Sequence, residues 1–271
     1  IQNGYRVTKM DMGNDIASAI SKVKPDIVFN CLHGTYGEDG SLAGLLNIMR
    51  IPYTHSGLLT SALSFNKEYS RNIFKQHGLR VPNNVIIYNN NLRDTKIMKA
   101  PYVIKPIAQG SSKGIEVVFP EDQYSISDYK FQYGNKVIVE EYIKGQEIQV
   151  AVLDGKALGT IEIKCLKRRF YDYDTKYQDG YAEHLYPGQI TQKQIEEVKF
   201  LAEKVNTAVG ASGITRVEFI LSSQDNHFYL LEINTHPGLT PLSICPEIAK
   251  YNNINFNHLV QILVETASYE Y

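Results

Sequence analysis

The sequence predicts a chain of mixed class, with an α/β layer at its N-terminal end followed by an α+β region built on antiparallel strands. Three observations carry this. Strand and helix signals alternate through the opening segment, an Asp154-Gly155 turn joins two alternating apolar runs, and two late strands carry charge along one face. A chain of 271 residues can bury a sizeable core and hold two or three lobes.

Taken in order, residues 5–10 read as a strand, 15–23 as a helix, 26–32 as an apolar strand, 33–40 as a polar loop and 41–50 as a helix. Alternation of this kind predicts a parallel sheet with its ligand loop at a strand C-terminus, where His33 to Gly40 falls. Residues 1–4 read as the tail of a helix, and the absence of an initiating Met suggests that a segment precedes Ile1. Residues 66–78 form an amphipathic helix closed by Gly78, which puts a boundary near residue 64. Strands over 102–105 and 115–119 flank the turn Gln109-Gly110-Ser111-Ser112-Lys113-Gly114. A Walker loop needs a helix after its glycines, so this unit is not one, although its backbone N–H groups can cover phosphates.

Residues 147–153 and 157–163 form a hairpin, because Asp154-Gly155 suits the positive φ angles of a type I′ turn. Thr191 and Gln194 form a capping box at the head of a helix over 192–209, whose apolar residues recur at helical spacing up to Gly210.

Residues 213–221 and 227–234 read as a second hairpin. With its loop centred on Gln224, the even-numbered residues share a face, which gathers Arg216, Glu218, Glu232 and Asn234 beside Ile214, Ile220, Phe228 and Leu230. Two carboxylates and an amide oxygen are hard ligands suited to Mg²⁺ with water and phosphate, and the lack of His and Cys argues against zinc. An exposed Arg–Glu cross-strand pair is the plainer explanation. The following Asn234-Thr235-His236-Pro237-Gly238 loop, which sets backbone N–H groups beside the carboxylates, favours the metal.

Composition excludes other classes. A net charge of −1, with 43% hydrophobic and 21% charged residues, argues against nucleic-acid binding and disorder. No apolar run approaches the roughly 20 residues of a membrane span. Cys31, Cys165 and Cys245 are odd in number and far apart, as expected of reduced thiols in the cytoplasm.

The segments His33 to Gly40, Gln109 to Gly114, Phe170 to Tyr177 and Leu231 to Gly238 resemble, in order and spacing over essentially the whole chain, the D-alanine:D-alanine ligases of the ATP-grasp superfamily. The resemblance implies an ATP-grasp fold: a Rossmann-like N-terminal domain (1–64), a central lid (65–144) and a C-terminal antiparallel-sheet domain (145–271). It also implies a cytoplasmic homodimer that uses ATP, two Mg²⁺ (or Mn²⁺) and a monovalent cation such as K⁺ to make D-alanyl-D-alanine for peptidoglycan. In the family, ATP phosphorylates one D-alanine carboxylate and the amine of a second attacks the acyl phosphate.

By this resemblance Glu218, Glu232 and Asn234 hold the metals, and Lys67 and Lys105 bind phosphate. Glu140, Glu141, Tyr142 and Ile143 meet the adenine edge, Glu147 the ribose, Phe170 stacks nearby, and Ser112 closes over the phosphates. Ser111 and Tyr177 pair near the first D-alanine with His33 close by, while Lys176 and Ser243 receive the second carboxylate and the γ-phosphate. Arg216 and the Gly238 N–H form the oxyanion hole.

Three departures accompany the match. Glu218 stands where relatives often have Asp, Asn66 likewise, and the family's N-terminal Gly-rich strand-loop, with the glutamate that holds the first ammonium, has no counterpart. A D-alanine:D-lactate ligase and a non-catalytic ATP-grasp module are the alternatives. The resemblance of Lys176-Tyr177 favours the dipeptide enzyme, and the intact Arg216, Glu218, Glu232 and Asn234 favour catalysis.

Overall fold

The computed structural model describes residues 3–92, 97–166, 181–241 and 243–270. Two antiparallel sheets dominate these residues. The smaller, of order β1-β4-β2-β3, comprises β1 (Asn84–Tyr88), β2 (Tyr102–Pro106), β3 (Glu116–Val118) and β4 (Lys136–Glu141). The larger, of order β7-β6-β5-β8-β9, comprises β5 (Gly145–Leu153), β6 (Lys156–Cys165), β7 (Ala182–Leu185), β8 (Ile214–Ser222) and β9 (Phe228–Asn234).

The N-terminal region is held by helices more than by strands. Helices α1 (Ile16–Val23) and α2 (Ser41–Met49) form as expected, and Ile20, Leu42, Ala43, Leu46 and Tyr53 make their core. The strand expected over 5–10 is absent, Asn3 and Gly4 sit in a turn instead of a helix tail, and the parallel pairing of residues 26–32 is reduced to one bridge, Val28 to Tyr53. The reason is local. Beyond Val28, the N–H of Asn30 donates to Thr54 Oγ1 (3.1 Å) and that of Leu32 to Asn30 Oδ1 (2.9 Å), so side chains replace the ladder. Tyr53 pairs in turn with Ser268, which brings the end of the chain back to this region.

Helix α3 (Leu58–Phe65) was not expected, and α4 (Lys67–Gln76) was. On α3 the usual polarity is inverted: Thr60, Ser61 and Ser64 are buried while Leu59 is 63% exposed. Thr60 Oγ1 donates to Val209 O (2.7 Å) and Ser61 Oγ to Ser56 O (3.2 Å), so hydroxyls dock this face. Asn66 caps α4 by accepting from the N–H groups of Glu68 and Tyr69.

Helix α5 (Gln192–Val209) has the predicted bounds, its Thr191–Gln194 capping box and a left-handed Gly210 at φ 68°. Its Val198, Ala202, Val205 and Val209 pack against one face of the larger sheet, through Ile148, Val150, Val217, Phe219 and Leu230. Phe74 and Leu79 join that same core. On the opposite face, α6 (Ile244–Tyr251) and the adjoining α7 (Phe256–Glu265) cover Ala151, Ile161, Ile163 and Ile214. The remainder of that face, with Glu147, Glu218, Ile220 and Glu232, looks into a cavity shared with the smaller sheet.

The second hairpin has the expected strands but a different register. At its turn end Ile220 faces Tyr229 and Leu221 faces Phe228, so the loop is not centred on Gln224. A bulge then shifts the ladder, leaving Leu231 as the extra residue and setting Glu218 opposite Glu232 and Arg216 opposite Asn234. Phe228 and Leu230 therefore belong to the hydrophobic core, not to the charged face, whereas Leu231 and Glu232 both line the cavity. The four polar residues converge because of the bulge, and strict alternation alone would have separated them.

Candidate active site

The cavity between the sheets measures about 380 Å³, within the usual range for a small-molecule site. Lys67 enters it from the first turn of α4, Lys105 from β2, Glu140 and Glu141 from the end of β4, and Tyr142 and Ile143 from the link into β5. Glu147, Glu218 and Glu232 reach it from three adjacent strands, and Ser112 from the glycine-bearing turn. The structure thus brings ten of the sequence-predicted residues to one wall-lined space.

Its charges are paired. Lys67 Nζ donates to Gln109 O at 3.0 Å and lies 3.3 Å from Glu232 Oε2. Glu218 is ion-paired with Arg216, its opposite neighbour but one along β8. Glu140 is 1% exposed, and it sits between Arg71 Nε at 2.6 Å and Lys105 Nζ at 2.7 Å. Burial alone pushes the Glu140 carboxyl up, but the charges of Arg71 and Lys105 outweigh it and hold the group at about 2. For Arg216, burial works against the cation, and Glu218 more than restores it, so the guanidinium stays firmly protonated.

A second group of residues continues from Arg216 and Asn234. Asn234 Oδ1 accepts from the N–H of His236 at 2.8 Å, which folds the chain toward Gly238. A Cβ on Gly238 would stand 2.9 Å from Ser243 Oγ, so the absence of a side chain lets these two approach. Ser243 Oγ accepts from the N–H of Thr240 at 3.1 Å just ahead of α6. His236 packs against His55 with ring centroids 4.6 Å apart and the rings tilted by 51°; burial holds His236 well below the ordinary histidine range and His55 down at about 4. His33 Nδ1 lies 3.5 Å from Glu38 Oε1, and that partner raises its pKa against the opposing effects of burial and Arg216.

Glu38 also approaches the glycine-bearing turn, since a Cβ on Gly110 would come within 3.0 Å of its Oε2. Ser111 and Ser112 both adopt left-handed backbone, φ 54° and 55°, in the turn that follows Gly110. Phe170, Lys176 and Tyr177 lie outside the described residues. Sequence reasoning missed Arg71, Gln149, His55 and His236. Arg71 follows Lys67 by four residues on one helix and Gln149 follows Glu147 by two on one strand, so periodicity placed both beside residues already singled out.

Two family models match the chain, one described as D-ala D-ala ligase N-terminus over residues 5–56 and one as D-ala D-ala ligase C-terminus over residues 73–265. The D-alanine–D-alanine ligase of Rickettsia canadensis is 56% identical over 267 residues, 98% of this chain and 75% of that protein. That of Rickettsia typhi is 53% identical, covering 100% and 84%. Among solved structures, the Bacillus anthracis D-alanine–D-alanine ligase complexed with ATP aligns with a TM-score of 0.82 at 25% identity, over 98% of this chain and 87% of that one. The VanG D-Ala:D-Ser ligase of Enterococcus faecalis aligns at 0.77 with 30% identity, over 89% and 72%. Agreement of both models, close relatives and fold over nearly all of the sequence leads to one conclusion: the chain belongs to the D-alanine–D-alanine ligase family.

Proposed function

We infer that this protein is an ATP-dependent ligase that joins two D-alanines into D-alanyl-D-alanine for peptidoglycan. The observation that carries the reading is the cross-strand Glu218–Glu232 pair, facing the cavity that Lys67 and Lys105 also enter. The chemistry must bring an anionic carboxylate to a polyanionic triphosphate, so it needs positive charge placed in advance and water kept out.

Lys67 and Lys105 supply the fixed charge for phosphate oxygens, and the left-handed Ser111-Ser112 turn adds backbone donors above them. Tyr142, Ile143 and Glu141 form the adenine wall and Glu147 receives the ribose. Among the described residues no three His, Cys, Asp or Glu side chains converge as a complete cage. Glu218, Glu232 and Asn234 nevertheless suit Mg²⁺ or Mn²⁺, which keep water and take phosphate oxygens as further ligands. Two such ions supply charge neutralisation and a template for the triphosphate. Arg216 and the Gly238 N–H flank the point where an oxyanion develops as the second amine attacks the acyl phosphate, and Ser243, the N-cap residue of α6, receives the incoming carboxylate or the γ-phosphate.

The proposal extends to a division at residues 1–64, 65–144 and 145–271, with the smaller sheet as lid, to a homodimer in the cytoplasm, and to a monovalent cation such as K⁺. Among the described residues no helix is long and apolar enough to cross a membrane. The test is phosphate release from ATP with D-alanine, L-alanine, D-lactate or D-serine as acceptor, with product analysis. Release that depends on D-alanine and yields the dipeptide is expected. A depsipeptide or D-alanyl-D-serine as main product, or ATP binding without turnover, overturns it.

A further inference from the structure

We propose that Gln149 is a positioning residue for nucleotide recognition, fixing the Glu147 carboxylate in the orientation that receives the ribose hydroxyls. The inference deepens the proposed function and rests on the ribose role given there to Glu147.

Gln149 lies on β5, two residues after Glu147 and on the same face, and it stands opposite Glu218 in the ladder with β8. One cross-strand row therefore runs Gln149, Glu218, Glu232, with Glu147 in the row beside it. Gln149 is 1% exposed and does not line the cavity, whereas Glu147 does. The carboxamide Nε2 of Gln149 donates to Glu147 Oε1 at 2.8 Å. Its Oε1 is buried with no hydrogen-bond partner among the described residues.

That combination is costly for a side chain of purely architectural purpose. The neighbours on this face nearer α6, Ala151 and Ile161, are apolar and fully buried, so an apolar side chain at 149 would fill the position without leaving an acceptor unsatisfied. What the glutamine adds is one charge-assisted hydrogen bond to a carboxylate at the cavity wall. Donation to Oε1 fixes the rotation of the Glu147 carboxylate and leaves Oε2 directed away from Gln149. A carboxylate held in that way accepts from a ribose hydroxyl without first losing rotational freedom. The amide fills a single purpose, and the unsatisfied oxygen is its consequence.

The experiment compares ATP with 2′-deoxyATP in the D-alanine-dependent reaction of the full chain, for the unaltered protein, Gln149→Met and Glu147→Gln. For Gln149→Met the expected result is a KM for ATP raised about 10-fold, the size of one charge-assisted hydrogen bond, with kcat within about twofold. The KM for 2′-deoxyATP changes far less, so the preference for ATP collapses. General loosening of the fold would raise both values together and leave their ratio intact. Thermal stability does not fall, because the methionine removes an unsatisfied acceptor. Should that variant not fold, Gln149→Asn, a methylene shorter, gives the same reading. If Gln149→Met keeps the preference while Glu147→Gln abolishes it, the positioning role is wrong and the ribose site stands. If Glu147→Gln also keeps the preference, the ribose assignment itself falls.

Discussion

Replacing Arg71 with Met tests the electrostatic frame of the site most directly. Arg71 and Glu140 are each 1% exposed, and Arg71 Nη1 and Nη2 have no partner among the described residues, so nearly all of the cation's compensation is the bond to Glu140. Breaking a buried pair from one side costs about 3–5 kcal/mol, and Lys105 remains at 2.7 Å to hold the stranded carboxylate, which points to the lower end. The carboxyl itself gives the same scale: its fall from 4.5 to about 2 corresponds, at about 1.4 kcal/mol per pKa unit, to about 3 kcal/mol. For a chain of 271 residues, with an unfolding entropy near 2.1 cal/mol/K per residue, a loss of that size lowers Tm by about 5 °C. Thermal unfolding followed by circular dichroism reads it, and the double variant Arg71→Met/Glu140→Gln should regain more than half, since the unpaired charge is gone. ATP affinity should fall with the single variant as well, because Glu140 then draws Lys105 fully to itself. A change in Tm below about 1 °C would mean that the pair does not carry the load assigned to it.

Further expectations follow from the same geometry. Glu232→Gln should abolish D-alanine-dependent phosphate release with unaltered far-UV circular dichroism; a near-normal rate at saturating Mg²⁺ would contradict the metal-ligand role proposed for it. Arg216→Ala should lower kcat more than it raises KM, by about 10²–10³, because the oxyanion proposed to lie beside it forms only in the transition state; an effect on KM alone would contradict that. The Glu140 carboxyl is depressed, so its contribution is fully present above pH 4.5 and drains away as pH falls toward about 2. Glu140→Gln should flatten that limb in a denaturant midpoint measured against pH, and an unchanged slope would count against the buried cluster.

Legibility in the sequence varied with the physical cause. Helix α5 was read to the residue because its capping box, apolar spacing and terminal glycine agree with one another. Helix α3 was missed because it docks through Thr60, Ser61 and Ser64 and turns Leu58 and Leu59 outward, so periodicity pointed the wrong way. Residues 26–32 carry a strand's composition, but the hydroxyl of Thr54 and the amide of Asn30 replace the ladder, which no local pattern announces. At the site, residue types gave away the acids and lysines, since charges on otherwise apolar strands are conspicuous. Arg71 and the His55–His236 ring contact were hidden because each depends on a contact between distant segments, and Gln149 because its own burial beside Glu147 is set by the packed sheet and not by the local pattern.

Leu231 makes the arithmetic of the late hairpin depend on one insertion. Upstream of it the odd positions of β9 look outward and the even ones inward; past it the assignment is exchanged. A homologue of equal turn length that lacked this residue would run a regular ladder with its carboxylate still opposite Glu218, whereas one that kept the residue but flattened the bulge would pair it with Glu218, turn Ile233 to the cavity and send Glu232 into the packing beneath α5. A gap at Leu231 therefore leaves chemistry and core on their own faces, whereas loss of the bulge with the residue retained exchanges them along the rest of β9.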